Sequence, residues 1–219
     1  MASITLSFHS EALERTVPLR ALVPLEDAPR VPMPALYLLH GLYGSEQDWF
    51  QYTRVMLWAR AKGLAVFCPA GENGFYVNQA DTGEAYMRYV GEELPAFTRR
   101  LFPLSSRRED TFIAGLSMGG YGALNAGLTY PETFGKVAAL SAALGEFALC
   151  RGLMEAEMLE NALLYPARTV ELSLGRANIM SVRVPRIEAK TGEVVLSYGL
   201  AQTTSQLDGA IASLAEVFP

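Results

Sequence analysis

The chain has 219 residues, half of them hydrophobic, with 18 Lys plus Arg against 23 Asp plus Glu and a formal charge of −5. That length suits one domain with a sizeable core, and the apolar content excludes a disordered chain. The acidic balance argues against a nucleic-acid or anionic-membrane partner, since both require clustered cations. No run approaches the roughly 18 apolar residues of a membrane helix, and the start MASITLSFHSEALERTV lacks the basic-then-apolar pattern of a secretion signal. A cytoplasmic location is therefore expected. The cysteines, Cys68 and Cys150, have no metal-ligand spacing, so two buried free thiols and no metal are expected.

In chain order, strands are predicted at 4–8 and 17–23, joined by the turn-like SEALER segment as an antiparallel edge hairpin. A proline-rich loop at 24–34 follows, then strand 35–39, helix 49–62, strand 64–68, helix 84–101, strand 111–114, helix 119–130 and strand 136–140. Beyond these lie helix 152–164, strand 170–174, a helical segment at 186–190, strand 194–198 and helix 207–217. Runs such as ALYLL and LAVFC are apolar throughout, as central strands covered on both faces must be. The alternation predicts a single α/β domain over residues 1–219, with a mostly parallel sheet of about eight strands and helices on both faces.

The chemistry concentrates at Gly115-Leu116-Ser117-Met118-Gly119. This is G-x-S-x-G between a predicted strand and a predicted helix, the setting of a nucleophile elbow. Small residues let strand and helix approach, the serine projects from the sheet edge, and the helix N-terminus favours a developing oxyanion. A second turn, His40-Gly41-Leu42-Tyr43-Gly44, follows the strand ALYLL, where such a fold places its other oxyanion donor. Ser117 is thus the expected nucleophile, with the backbone N–H groups of Leu42 and Met118 as the oxyanion hole. His40 is expected to shape its loop rather than act as a base.

HGLYGSEQDW, ENGFYVN and AGLSMGGYGALNAGLTYPETFGKVAALSAAL resemble the esterase D and tributyrin-esterase group, which includes S-formylglutathione hydrolases, feruloyl esterases and, more distantly, mycolyltransferase antigens. The resemblance runs from about residue 3 to 144. It implies an α/β-hydrolase fold, no cofactor, and a small acyl ester or thioester as substrate. It also puts His40, Trp49, Asn73 and Tyr76 near the pocket. A homo-oligomer is left open.

Past residue 144 the resemblance breaks. In this fold the order is Ser, then Asp or Glu, then His, yet the histidines are His9 and His40, both upstream of Ser117. Where the family has its acid this chain reads Gly175-Arg176-Ala177-Asn178, and counting back from Asp208 puts Gln202 at the histidine position. An amide accepts no proton near neutral pH. The expected site therefore keeps nucleophile and oxyanion hole but has Asn178 at the acid position and Gln202 at the base position. Glu171, Glu193 and Asp208 remain as substitute bases, and the 144–171 stretch implies a reduced cap. The chain then reads as a weak or inactive esterase, or as a non-catalytic hydrolase-fold protein with a binding, regulatory or structural role. An altered or frame-shifted C-terminal third is a further reading. The sensible strand and helix patterns there favour a genuine homologue.

Overall fold

The run Ala35-Leu36-Tyr37-Leu38-Leu39 carries no charged residue on either face, and in the computed structural model it is a strand buried at every position. The residues described are 1–25, 32–140 and 142–143, with the backbone of strands at 171–174, 179–184 and 192–197. The strands are β1 (Ala2–Ser10), β2 (Arg15–Val23), β3 (Ala35–Leu39), β4 (Ala65–Pro69), β5 (Thr111–Leu116), β6 (Lys136–Leu140), β7 (Glu171–Leu174), β8 (Ile179–Val184) and β9 (Gly192–Ser197). They form one sheet in the order β1-β2-β4-β3-β5-β6-β9-β8-β7.

The sheet has nine strands rather than about eight, because β8 arises where the sequence predicts no strand. Its parallel part is the centre, β4-β3-β5-β6-β9, while β1, β2, β7 and β8 pair antiparallel. Short connections dictate this for the β1–β2, β7–β8 and β8–β9 pairs, since a parallel neighbour needs a crossover of a dozen or more residues. The first hairpin is antiparallel as expected, from Ala2 opposite Val23 to Ser10 opposite Arg15.

Alternate residues of the central strands feed two cores. Tyr37, Leu39, Phe67, Ile113, Val137 and Ala139 belong to one; Leu36, Leu38, Val66, Phe112, Ala114 and Leu140 belong to the other. The second core is closed by α1 (Asp48–Tyr52) and α2 (Val55–Lys62) through Trp49, Val55 and Ala59. The first is closed by α3 (Tyr86–Arg88), α4 (Leu94–Leu101) and α5 (Met118–Thr129). The sheet is thus covered on both faces, as its all-apolar strands require.

The helix predicted over 49–62 is broken between α1 and α2. Thr53 is extended (φ −137°, ψ 169°); its hydroxyl donates to the Trp49 carbonyl and accepts from Val55 N–H at 3.2 Å. A short polar side chain here offers the backbone an alternative to the helical ladder. The helix predicted over 84–101 is continuous but passes through a π turn at Tyr89–Glu93. Pro95 follows in the first turn of α4 and has no N–H to return to the preceding turn, so the ladder is locally widened. The predicted helices at 152–164, 186–190 and 207–217, the shortened cap and Cys150 lie outside the described residues. Cys68 is a buried free thiol, its pKa pushed well up by burial.

Candidate active site

Ser117 joins β5 to α5 with φ +54° and ψ −114°, a region that non-glycine residues enter only when their surroundings impose it. The surroundings here are explicit. Ser117 N–H donates to the Leu140 carbonyl at 2.8 Å, and the Ser117 carbonyl accepts from Tyr121 N–H at 3.0 Å and Ala143 N–H at 3.2 Å. The side chain is half-buried at the carboxyl end of the sheet. Close approach explains Gly119: a Cβ there would stand 2.4 Å from the Leu39 carbonyl oxygen and 2.5 Å from that of His40. Helix α5 therefore begins hard against the end of β3.

The turn after β3 lies beside this elbow, since a Cβ on Gly41 would sit 3.7 Å from Ser117 Cβ. The N–H groups of Leu42 and Met118, the expected oxyanion donors, make no hydrogen bond among the described residues. That suits groups awaiting a ligand, since the first N–H groups of a helix have no partner within it.

Each side chain assigned to the pocket by resemblance has a definite place. His40 is buried; its Nε2 accepts Gly71 N–H at 2.9 Å, so the ring proton is on Nδ1, which donates to the Gly41 carbonyl at 2.7 Å. Tyr76 is fully buried, its hydroxyl accepting His40 N–H at 3.1 Å, and its ring occupies the space where a Cβ on Gly122 would be, 2.6 Å away. Burial holds the Tyr76 phenol well above its usual pKa, so it stays a neutral donor and acceptor. Trp49 is buried too, donating Nε1–H to the Leu39 carbonyl at 3.1 Å. These three brace the turn from inside. Asn73 alone of the four is exposed, and its Oδ1 accepts Tyr43 N–H at 2.8 Å.

Neither histidine is placed to take the proton of Ser117 Oγ. Both nitrogens of His40 are committed to backbone. His9 is on β1, separated from β5 by β2, β4 and β3, so four inter-strand steps of about 4.8 Å put it about 19 Å away. Glu171 is on β7, equally far on the opposite side. Glu193 pairs with Lys136, which pairs with Phe112, five residues before Ser117 and toward the wrong end of the sheet. The register thus sets the backbones of Glu171 and Glu193 away from that of Ser117. Asn178, Gln202 and Asp208 lie outside the described residues.

One feature has no signal in the sequence. A cleft of about 370 Å³ is lined by Arg15, Glu72, Asn73, Gln79, Glu84 and Tyr86. Arg15 Nε donates to Glu84 at 2.9 Å and Nη2 to the Tyr86 hydroxyl at 2.8 Å. The cleft connects to the candidate oxyanion turn through the Asn73–Tyr43 bond, and Tyr43, 85% exposed, stands at that turn. Arg15 and Glu84 are distant in sequence and in no motif, so only the fold reveals their pairing.

Fold and elbow together define an α/β-hydrolase. The Esterase family model matches residues 10–162, and the chain belongs to that family. An acetyl esterase of Caldicellulosiruptor saccharolyticus is 40% identical over 152 residues, covering 66% of this chain and 57% of that protein. A substrate-bound fluorophosphonate-binding serine hydrolase of Staphylococcus aureus superposes with TM-score 0.62 at 35% identity, over 68% of this chain and 60% of that one. S-formylglutathione hydrolase of the same organism gives TM-score 0.60 at 33% identity, over 74% and 67%. The chain thus spans 57% and 60% of the length of the first two relatives.

Residues 137–219 match a different family, the ATP synthase D-subunit. The D-subunit of the V-type ATP synthase of Clostridium botulinum is 35% identical over 86 residues, which cover 36% of this chain and 40% of that protein. The C-terminal third, expected from its patterning to be a diverged esterase, has a positive likeness of its own.

Proposed function

We propose that the chain is a slow serine esterase, acting on small carboxyl esters or thioesters and lacking the base that normal turnover requires. The observation that carries this reading is the Ser117 elbow, held at φ +54° beside two unengaged N–H groups. Ser117 Oγ attacks the acyl carbon, its proton passing to water or buffer, while Leu42 and Met118 N–H stabilise the oxyanion. The alcohol or thiol then leaves with a proton, and water hydrolyses the acyl-serine. In well-studied triads the loss of one member costs about 10⁴–10⁶ in turnover, while the oxyanion hole and binding retain about 10³–10⁴ over water. Slow, Ser117-dependent cleavage of activated esters is the expected result. Labelling with a fluorophosphonate and hydrolysis of an aryl acetate should both disappear in Ser117→Ala. Hydrolysis unchanged in that variant removes the proposal.

A second reading, a binding role without catalysis, is favoured by the D-subunit likeness of residues 137–219. It predicts that the purified chain binds a V-type ATP synthase preparation stripped of its own D-subunit. No retention at micromolar concentration would count against it.

A further inference from the structure

We infer that the catalytic acid and base are absent because the segment that would carry them has been exchanged for one of another ancestry, not because two triad residues were substituted in place. The inference rests on the reading of Ser117 as nucleophile. In this fold acid and base follow the nucleophile in sequence, and the esterase match stops at residue 162, 45 positions past Ser117. The D-subunit match begins at 137 and continues to 219. Drift away from an esterase erases likeness; it does not create 35% identity to an unrelated family over 86 residues.

Composition changes at the same place. Of the 22 Phe, Tyr and Trp residues, 18 lie within residues 1–143, as do both tryptophans and both histidines. The junction also falls at an informative point in the structure. The two matches overlap over 137–162, which begins inside β6. The backbone groups that hold Ser117 from this side belong to Leu140 and Ala143, at 2.8 and 3.2 Å. Both residues lie in the overlap, so each match includes this support of the elbow, and it is the chain after residue 162 that no longer matches the esterase. Asn178 and Gln202 are then ordinary residues of a segment resembling the D-subunit, with no designed distance to Ser117 Oγ.

The two accounts separate in one set of measurements. Turnover of an aryl acetate is compared for the intact chain, for Asn178→Asp with Gln202→His, and for a graft in which residues 144–219 are replaced by the corresponding C-terminal part of the Caldicellulosiruptor acetyl esterase. The double variant should stay within twofold of the parent. The graft should gain about 10⁴-fold or more, the scale of a restored triad, and lose that gain with Ser117→Ala. A gain of a hundredfold or more in the double variant overturns the inference, and so does a folded graft that labels at Ser117 yet turns over no faster. If the graft does not fold, the double variant decides alone, with Gln202→His in its place if circular dichroism finds it unfolded. Turnover of the graft that survives Ser117→Ala would instead remove the nucleophile assignment.

Discussion

At the scale of single residues, the site consists of groups held against their own preferences. A serine at φ +54° and ψ −114° stores strain of about 1–3 kcal/mol, which glycine would not feel. Glycine loses about 0.5–1 kcal/mol more conformational entropy on folding. Ser117→Gly should therefore stabilise the protein by about 1 kcal/mol in urea denaturation while abolishing fluorophosphonate labelling; an unchanged midpoint would mean the elbow is unstrained. The G-x-S-x-G spacing makes this residue legible, because the motif states its own backbone requirement. Tyr76 is legible only as a neighbour. Its role as the acceptor of His40 N–H at 3.1 Å depends on chain reversal between β3 and the loop after β4, which no local spacing encodes. Tyr76→Phe leaves that buried N–H unpaired, at about 1–3 kcal/mol. The variant should lose stability by that amount and label more slowly at Ser117, since the candidate oxyanion turn loses its brace.

At the scale of elements, strands and helices up to β6 are readable because buried strands and amphipathic helices have distinct apolar periods. What escapes are interruptions caused by one side chain: the Thr53 hydroxyl that splits α1 from α2, and the π turn before Pro95. The π turn ends at Glu93, whose carboxylate meets the β1–β2 turn and accepts from the buried Ser10 hydroxyl and from Glu11 N–H and Ala12 N–H. That one side chain ties the edge hairpin to the helical layer. Hydrogen bonds to a charged group contribute about 1.5–3 kcal/mol, and removing the acceptor leaves a buried hydroxyl without its partner. Glu93→Ala should lower the unfolding free energy by about 2–3 kcal/mol. A loss under about 0.5 kcal/mol would show that the hairpin is held by its apolar contacts alone.

At the scale of the whole molecule, the sequence is least informative where its family likeness changes. Residues 144–219 show strand-like patterning, so periodicity alone lets them pass as the rest of an esterase, and the break shows instead in the missing histidine, the amide at the acid position and the fall in aromatic content. The part before that break has an aromatic interior, and this gives the fold a measurable response to alkali. Burial pushes Tyr37 up to about 12. Tyr130, with Glu92 beside it as a lesser cause, is likewise pushed by burial to about 12. Tyr76 stands well above its usual value for the same primary reason. The sign follows from which state binds the proton more tightly. Below about pH 10 these phenols are neutral folded or unfolded, and the full stability is present. Above it the unfolded chain releases protons that the folded chain retains, so stability falls as pH rises toward 12. For fully buried Tyr37 the loss is about 1.4 kcal/mol per pH step, or about 3 kcal/mol across the window. Ultraviolet titration at the tyrosinate band should therefore show these phenols ionising together with loss of circular dichroism above pH 10. Their ionisation near pH 10 in a chain that keeps its native spectrum would mean that the core around β3 and the Ser117 elbow admits water.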